Sequence, residues 1–167
     1  AVLRGWRVWA TAAPPHHCAL IAAGISGVFD YREPDWPARL AAQLGDRKLF
    51  ALFDTVSPDS AASLHPLLGY NGHIVCIHGR LEAPPQPGYS TALSVHEIAV
   101  NTAHHFAGAA DWADWQQAGR ELLDHIGSGR IRLPRMHAFD FARLPDALRE
   151  LKRGDKPGKF YALLPAQ

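Results

Sequence analysis

The sequence predicts an α/β fold built on parallel strands. Strand-like runs at 7–11, 27–31, 49–55 and 73–78 alternate with helix-like segments at 15–23, 36–44 and 58–68. Such alternation joins parallel strands through crossover helices. The punctuation agrees, because Pro15, Pro37 and Pro58 stand where first-turn prolines are tolerated, and Gly24, Gly45 and Gly69 where helices end. Asp35 and Ser57 are suited to cap the second and third helices.

Beyond residue 78 the rhythm changes. Segment 80–91 carries Pro84, Pro85, Pro87 and Gly88, which predicts a long exposed loop. "SVHEIAVN", 94–101, reads as a further strand. Trp112, Trp115, Leu122, Leu123 and Ile126 recur at helical spacing, with Asp111 as cap and Gly127 as stop. A helix at 144–152 and a strand at 160–164 complete the expected elements.

Composition bounds the function. A chain of 167 residues, 20% charged and 47% hydrophobic, suits a soluble globular protein with its own core. A formal charge of +1 argues against nucleic acid or a membrane surface as the main partner. The longest apolar run, 18–24, is too short to span a bilayer, and no basic-then-apolar leader opens the chain, so a cytoplasmic location is expected. Cys18 and Cys76 stand far apart among apolar neighbours, as reduced core thiols do.

Open parallel sheets bind ligands at the carboxyl ends of their strands. Here those ends are Thr11-Ala12-Ala13, Tyr31-Arg32, Asp54-Thr55-Val56-Ser57 and His78-Gly79-Arg80. Each alone is compatible with an ordinary turn, but small, polar and basic residues at four successive strand ends suit a nucleotide crevice. A metal site finds less support. His16-His17-Cys18 and His104-His105 are doublets whose neighbours point to opposite faces if extended, no Cys-x-x-Cys occurs, and "HEIAV" departs from H-E-x-x-H at Val100. Ser57, Ser60 and Ser63 lack the G-x-S-x-G elbow, so no catalytic residue is assigned.

Taken in order, "GWRVWATA", "GISGVFDYR", "LFDTVS", "GHIVCIHGR" and the ending "LRELKRGDKPGKFYALLP" resemble the medium-chain dehydrogenase/reductase superfamily, in its zinc-type alcohol dehydrogenase and quinone oxidoreductase branch. The resemblance covers nearly the whole chain but only the C-terminal half of such an enzyme. It implies a partial Rossmann-like parallel sheet at 1–105 and, at 106–167, a C-terminal segment of helices and a final strand returning to the substrate domain. In that family the glycine loop, the first strand and the substrate domain with its zinc ligands come earlier in the chain, and no G-x-G-x-x-G occurs here. The family's strand order 3-2-1-4-5-6 places the first strand between the second and fourth. Without it two backbone edges stand open, at roughly 1–3 kcal/mol per buried unpaired group, and a lone monomer is expected to be marginal.

The resemblance implies a nicotinamide cofactor and a small-molecule substrate as partners. Thr11, Ala12 and Ala13 put no carboxylate at the second-strand exit to hold a ribose diol, and His16, His17, Tyr31 and Arg32 offer donors and charge to a 2′-phosphate, so NADPH is expected over NADH. Asp54, Thr55 and Val56, then His78, Gly79 and Arg80, then Asn101 and Thr102 are implied to approach the ribose and nicotinamide end, and Lys159 joins the cofactor-binding set. A homodimer is expected through edge strand 94–101, which lacks Pro and Lys. Two function classes follow: an NADPH-dependent oxidoreductase of which this chain is the cofactor-binding half, inactive alone, or a non-catalytic nucleotide-binding or assembly module of dehydrogenase ancestry.

Overall fold

A computed structural model describes residues 1–154, 156 and 158–164. The fold is α/β with every paired strand parallel. The chain divides into two compact units, Ala1–Phe106 and Ala107–Gln167.

In the first unit β1 (Trp9–Thr11) pairs with β2 (Gly27–Phe29), and β3 (Leu49–Asp54), β4 (Leu68–Cys76) and β5 (Ser94–Glu97) form a second sheet in that order. Helix α1 (His17–Ala22) connects the first two strands, α2 (Trp36–Leu44) leads to β3, and α3 (Pro58–Ser63) leads to β4. Helix α2 starts and stops as expected: Pro37 lies in its first turn and Gly45 at its C-cap takes φ 61°, ψ −128°. Asp35 occupies the N-cap position without a side-chain cap, whereas Ser57 caps α3 by accepting the Ser60 N–H at 3.1 Å.

The core lies between these helices and the strands. Phe29 packs with Leu40 and Leu44 of α2, and Ala61 of α3 packs with Leu68, Ile74 and Cys76 of β4. Leu49 touches both groups and joins them into one layer. Ile74 is fully buried, and Ile74→Ala is expected to lower stability by about 2–5 kcal/mol in urea denaturation, through lost transfer energy and the cavity left behind.

The structure corrects several sequence-based expectations. The helix expected at 58–68 ends at Ser63, because Pro66 lacks an N–H and disfavours helical backbone in the residue before it. A 3-10 turn, His65–Leu67, follows, and Gly69 falls inside β4 rather than at a helix end. The β3–β4 register shifts between Leu49 and Ala51, where Asn71 takes φ 57° and a Cβ on Gly72 would lie 2.9 Å from the Gly69 carbonyl oxygen. Strand 94–101 shortens to Ser94–Glu97; the Ile98 N–H still donates to Cys76 O at 2.9 Å, and then a 3-10 turn at Val100–Thr102 takes over. Cys18 is exposed, since α1 buries none of its side chains, while Cys76 is buried.

The second unit follows a short helix α4 (Ala103–Phe106) and holds α5 (Ala109–Gly127), β6 (Met136–Asp140), α6 (Leu144–Arg153) and β7 (Lys159–Leu163). Asp111 is not the N-cap of α5. It stands one turn in and accepts the Gly108 N–H at 2.8 Å, and Gly127 remains helical with Ser128 as C-cap. Strand β6 was not expected from the sequence and pairs with β7 in register from Met136↔Lys159 to Asp140↔Leu163. Of the closing stretch that carries the family resemblance, Asp155, Pro157 and Pro165 lie outside the described residues.

Just beyond α6, Lys156 pairs back to Glu150 of that helix and holds its carboxyl below the usual glutamate range, first through their hydrogen bond and then, against an opposing burial effect, through its charge. A carboxyl depressed in the folded state stabilises above its unfolded value, and that contribution fades as pH falls through the depressed value. Lys156→Gln is expected to return the Glu150 midpoint toward the ordinary range in an NMR titration. An unchanged midpoint would contradict the assignment.

Candidate functional site

The site begins with Asp54, the last residue of β3, whose side chain is buried at 4% exposure. Its Oδ1 accepts the N–H groups of Val56 and Ser57, each at 2.9 Å. These charge-assisted bonds turn the chain sharply off the strand and present Thr55 and Val56 at its tip. The neighbouring strand end is tied in as the Ile77 N–H donates to Asp54 O at 2.8 Å.

Gly79 makes the second turn possible. It takes φ +88°, and a Cβ there would sit 2.9 Å from Pro58 Cδ and Cγ, so the exit of β4 packs directly on the start of α3. Gly79→Ala is expected to cost at least about 1 kcal/mol from the left-handed backbone alone, measured by thermal unfolding, with further loss from the Pro58 contact.

On the other sheet the Ala12 N–H donates to Phe29 O at 2.9 Å, extending the β1–β2 ladder to the strand exit. The His17 ring donates through Nε2 to Ala12 O at 2.8 Å, which pins the loop. After β2, Asp30 Oδ1 accepts the Arg32 N–H at 3.0 Å, and the Arg32 guanidinium lies 5.5 Å from the centre of the Tyr31 ring. A cation–aromatic pair therefore stands at this exit.

These ends meet at one cavity of about 780 Å³. Thr11, Tyr31, Asp54, Thr55, Val56 and His78, all expected from the sequence, line it. Ala12, His16, His17, Arg32 and Gly79 stand in the flanking turns without lining it. Arg80 faces a different cavity with Cys76 and Glu97. Asn101 and Thr102 form an exposed 3-10 turn, where the Thr102 hydroxyl donates to Ala99 O, and Lys159 starts β7 in the second unit. Sequence reasoning missed the apolar wall, which includes Trp9, Phe29, Trp36 and Phe53, together with Ser60. Alternation along β1 was the available signal, since Trp9 and Thr11 fall on one face of that strand.

A second cavity, about 390 Å³, continues from the first toward the strand starts and shares Trp9 and Leu49 with it. Trp6, Arg7, Lys48, Phe50 and Ala51 also line it. Strands β1 and β3 therefore run in the same direction along one slot, with their carboxyl ends at the larger cavity.

Parallel strands flanked by helices, with their carboxyl ends gathered at one cavity, define an α/β domain of the open parallel-sheet kind. Residues 23–160 match the zinc-binding dehydrogenase family, and the chain belongs to it. No curated protein matches the sequence. Among solved structures the fold is similar to an alcohol dehydrogenase superfamily protein from Novosphingobium aromaticivorans, at TM-score 0.73 and 19% identity over 95% of this chain and 47% of that one. It is also similar to a quinone oxidoreductase from Pseudomonas syringae pv. Tomato DC3000 (TM-score 0.68, 16% identity, 94% and 49% covered). CurA from Vibrio vulnificus, crystallised with NADPH, aligns at TM-score 0.67 and 17% identity over 99% and 52% of the two chains. The chain spans about half the length of these structures. Among the described residues no three His, Cys, Asp or Glu side chains gather as metal ligands, so these side chains do not fit the zinc of the family's description.

Proposed function

We propose that this chain is the cofactor-holding part of an NADPH-dependent oxidoreductase of the alcohol dehydrogenase and quinone reductase type. One observation carries the reading: residues from four separate strand exits, Thr11, Tyr31, Asp54 to Val56 and His78, line a single cavity at the carboxyl ends of parallel strands. The residues fit the adenosine end of the cofactor. No carboxylate occupies the β1 exit, and the Arg32–Tyr31 pair offers a stacking surface and a fixed positive charge for a 2′-phosphate. When bound, the nicotinamide supplies hydride transfer to or from a small carbonyl, quinone, alkene or alcohol. The chain's own part is to bind and orient: Asp54 fixes the turn that sets Thr55 and Val56 against the ligand, and Gly79 keeps His78 beside it.

The described cavity wall holds no glycine-rich helix start to cradle a pyrophosphate, so the chain is expected to bind NADPH weaker than micromolar and NADH weaker still. Fluorescence titration measures both. Arg32→Ala is expected to erase the preference, and tighter binding of NADH than of NADPH would overturn the reading. No steady NADPH oxidation by the chain alone is expected with quinones or aldehydes, because nothing in the site orients a hydride acceptor. Residues 1–105 would then serve as the dinucleotide-binding part and 106–167 as the return toward a substrate domain. Tight cofactor binding without turnover in a longer protein carrying these residues would favour a non-catalytic nucleotide-binding module instead.

No helix among the described residues is long and apolar enough to cross a membrane, which supports a cytoplasmic enzyme. The outer edge of β5 has no strand partner among the described residues, which supports a homodimer with β5 paired to its two-fold mate. Since the Ile98 N–H points to β4, the Val95 and Glu97 N–H groups point outward. Glu97→Pro removes one of them and is expected to weaken the dimer at least tenfold by sedimentation. A monomeric parent protein, or indifference to this change, would remove β5 as the interface.

A further inference from the structure

A histidine pair on the second sheet has no part in the cofactor reading. The parallel register sets His73 beside Ser94 and Val75 beside His96, so His73 and His96 stand on one face of β4 and β5, two residues out of step. Ile74 and Cys76, which alternate with His73 and Val75 along β4, point the other way and pack with Ala61 of α3. His73 Nδ1 and His96 Nε2 lie 3.0 Å apart, and the ring centres 5.2 Å apart. Among the described residues neither ring makes another hydrogen bond. His73 is partly buried, His96 is exposed, and neither lines the cavity at the strand exits.

The surroundings hold the two rings and leave room beside them. Ala51 and Ser94, the register partners of His73 on its two sides, are both small. The Phe50 ring packs edge-on against His73 with centres 4.8 Å apart. Both imidazoles are carried on strands that are hydrogen-bonded to each other across these same residues, and side chains on strands are placed more precisely than those on loops.

The spacing selects a ligand class. Imidazole nitrogens at about 2.0–2.1 Å from one metal ion stand about 2.9 Å apart when they meet it at a right angle, and about 3.3 Å apart at the tetrahedral angle. The separation of this pair, 3.0 Å, fits the right-angled bite. Right-angled nitrogen ligands suit tetragonal Cu(II) and Ni(II), and Cu(II) heads the order of affinity among divalent first-row ions.

We propose that His73 and His96 form a chelating site for a cupric ion, His73 binding through Nδ1 and His96 through Nε2. The proton shared by the two neutral rings moves to the far nitrogen of its own ring, which leaves a lone pair on each coordinating nitrogen and releases no proton. Water fills the remaining positions, so the site differs from the three or four protein ligands of a zinc centre. It is independent of the cofactor reading.

The test uses the whole chain with Cys18→Ser, so that the exposed thiol neither binds nor reduces the ion. Cu(II) is titrated against glycine as competing chelator at about pH 8, above the ordinary imidazole range. The expected result is one tightly bound Cu(II) per chain, held more tightly than Ni(II) or Zn(II), with electron paramagnetic resonance showing coupling to two imidazole nitrogens. Paramagnetic broadening of amide signals is expected first at His73, Val75, Ser94 and His96, a readout that needs no variant of the pair to fold. His73→Gln and His96→Gln are each expected to weaken binding at least tenfold, because a second imidazole on the same sheet acts at high effective concentration. Cu(II) is expected to raise the unfolding temperature of the parent by more than that of either variant. The double variant His104→Gln with His105→Gln is expected to bind as the parent does. Unchanged affinity in the His73 and His96 variants, coupling to a single nitrogen, or broadening centred on another histidine would overturn the proposal.

Discussion

Phe29→Ala is expected to cost about 3–5 kcal/mol, more than any other single truncation in the first unit. Phe29 is 2% exposed and closes the contact between β2 and α2, packing on Leu40 and Leu44. Its ring centre lies 6.4 Å from that of Trp36, and the Arg39 guanidinium sits 5.7 Å from it. Arg39 also pairs with Glu33, so the ring supports a charged surface as well as a core. Removing the ring leaves a void that α2 cannot fill without shifting. Urea unfolding, followed by tryptophan fluorescence, measures the loss. A change below about 1 kcal/mol would mean that this cluster is not the core of its sheet.

Asp54→Ala is expected to cost about 2–4 kcal/mol, from two backbone donors deprived of a charged acceptor. The Val56 and Ser57 N–H groups both depend on Oδ1, and Ser57 in turn caps α3. The damage should therefore spread from the turn into the first turn of α3. Asp54→Asn keeps an acceptor oxygen and is expected to lose less than half as much. Equal losses in the two variants would show that charge, not the turn geometry, is what Asp54 supplies. The Ala variant should also lose whatever cofactor affinity the chain has, because Thr55 and Val56 no longer hold their place.

Much of the first unit was legible because its signals are local. Pro37 and Gly45 bracket α2, Ser57 and Pro58 start α3, and the strand exits followed from apolar runs ending in Thr11 and Asp54. The misses came where distant contacts decide. Gly69 looks like a helix stop in isolation, but Pro66 had already ended the helix and pairing with β3 draws Gly69 into β4. Strand β6 is short, follows Pro134 and, among the described residues, pairs only with β7, more than twenty residues later. Cys18 sits among apolar neighbours in sequence, yet it falls on the exposed side of α1, a helix that fully buries none of its residues. The polar rim of the cavity could be read from turn residues, whereas its apolar wall comes from side chains on separate elements.

On the proposed function, the strand exits of the first unit hold NADPH, with its adenosine end at the exits of β1 and β2. Amide shift mapping of the isotopically labelled chain, titrated with NADPH to millimolar concentration, tests it most directly. Perturbations are expected at Thr11, Ala12, Tyr31, Arg32, Asp54 to Val56, His78 and Gly79, smaller with NADH at equal concentration. Perturbations absent from these residues, or concentrated in the second unit, would contradict it.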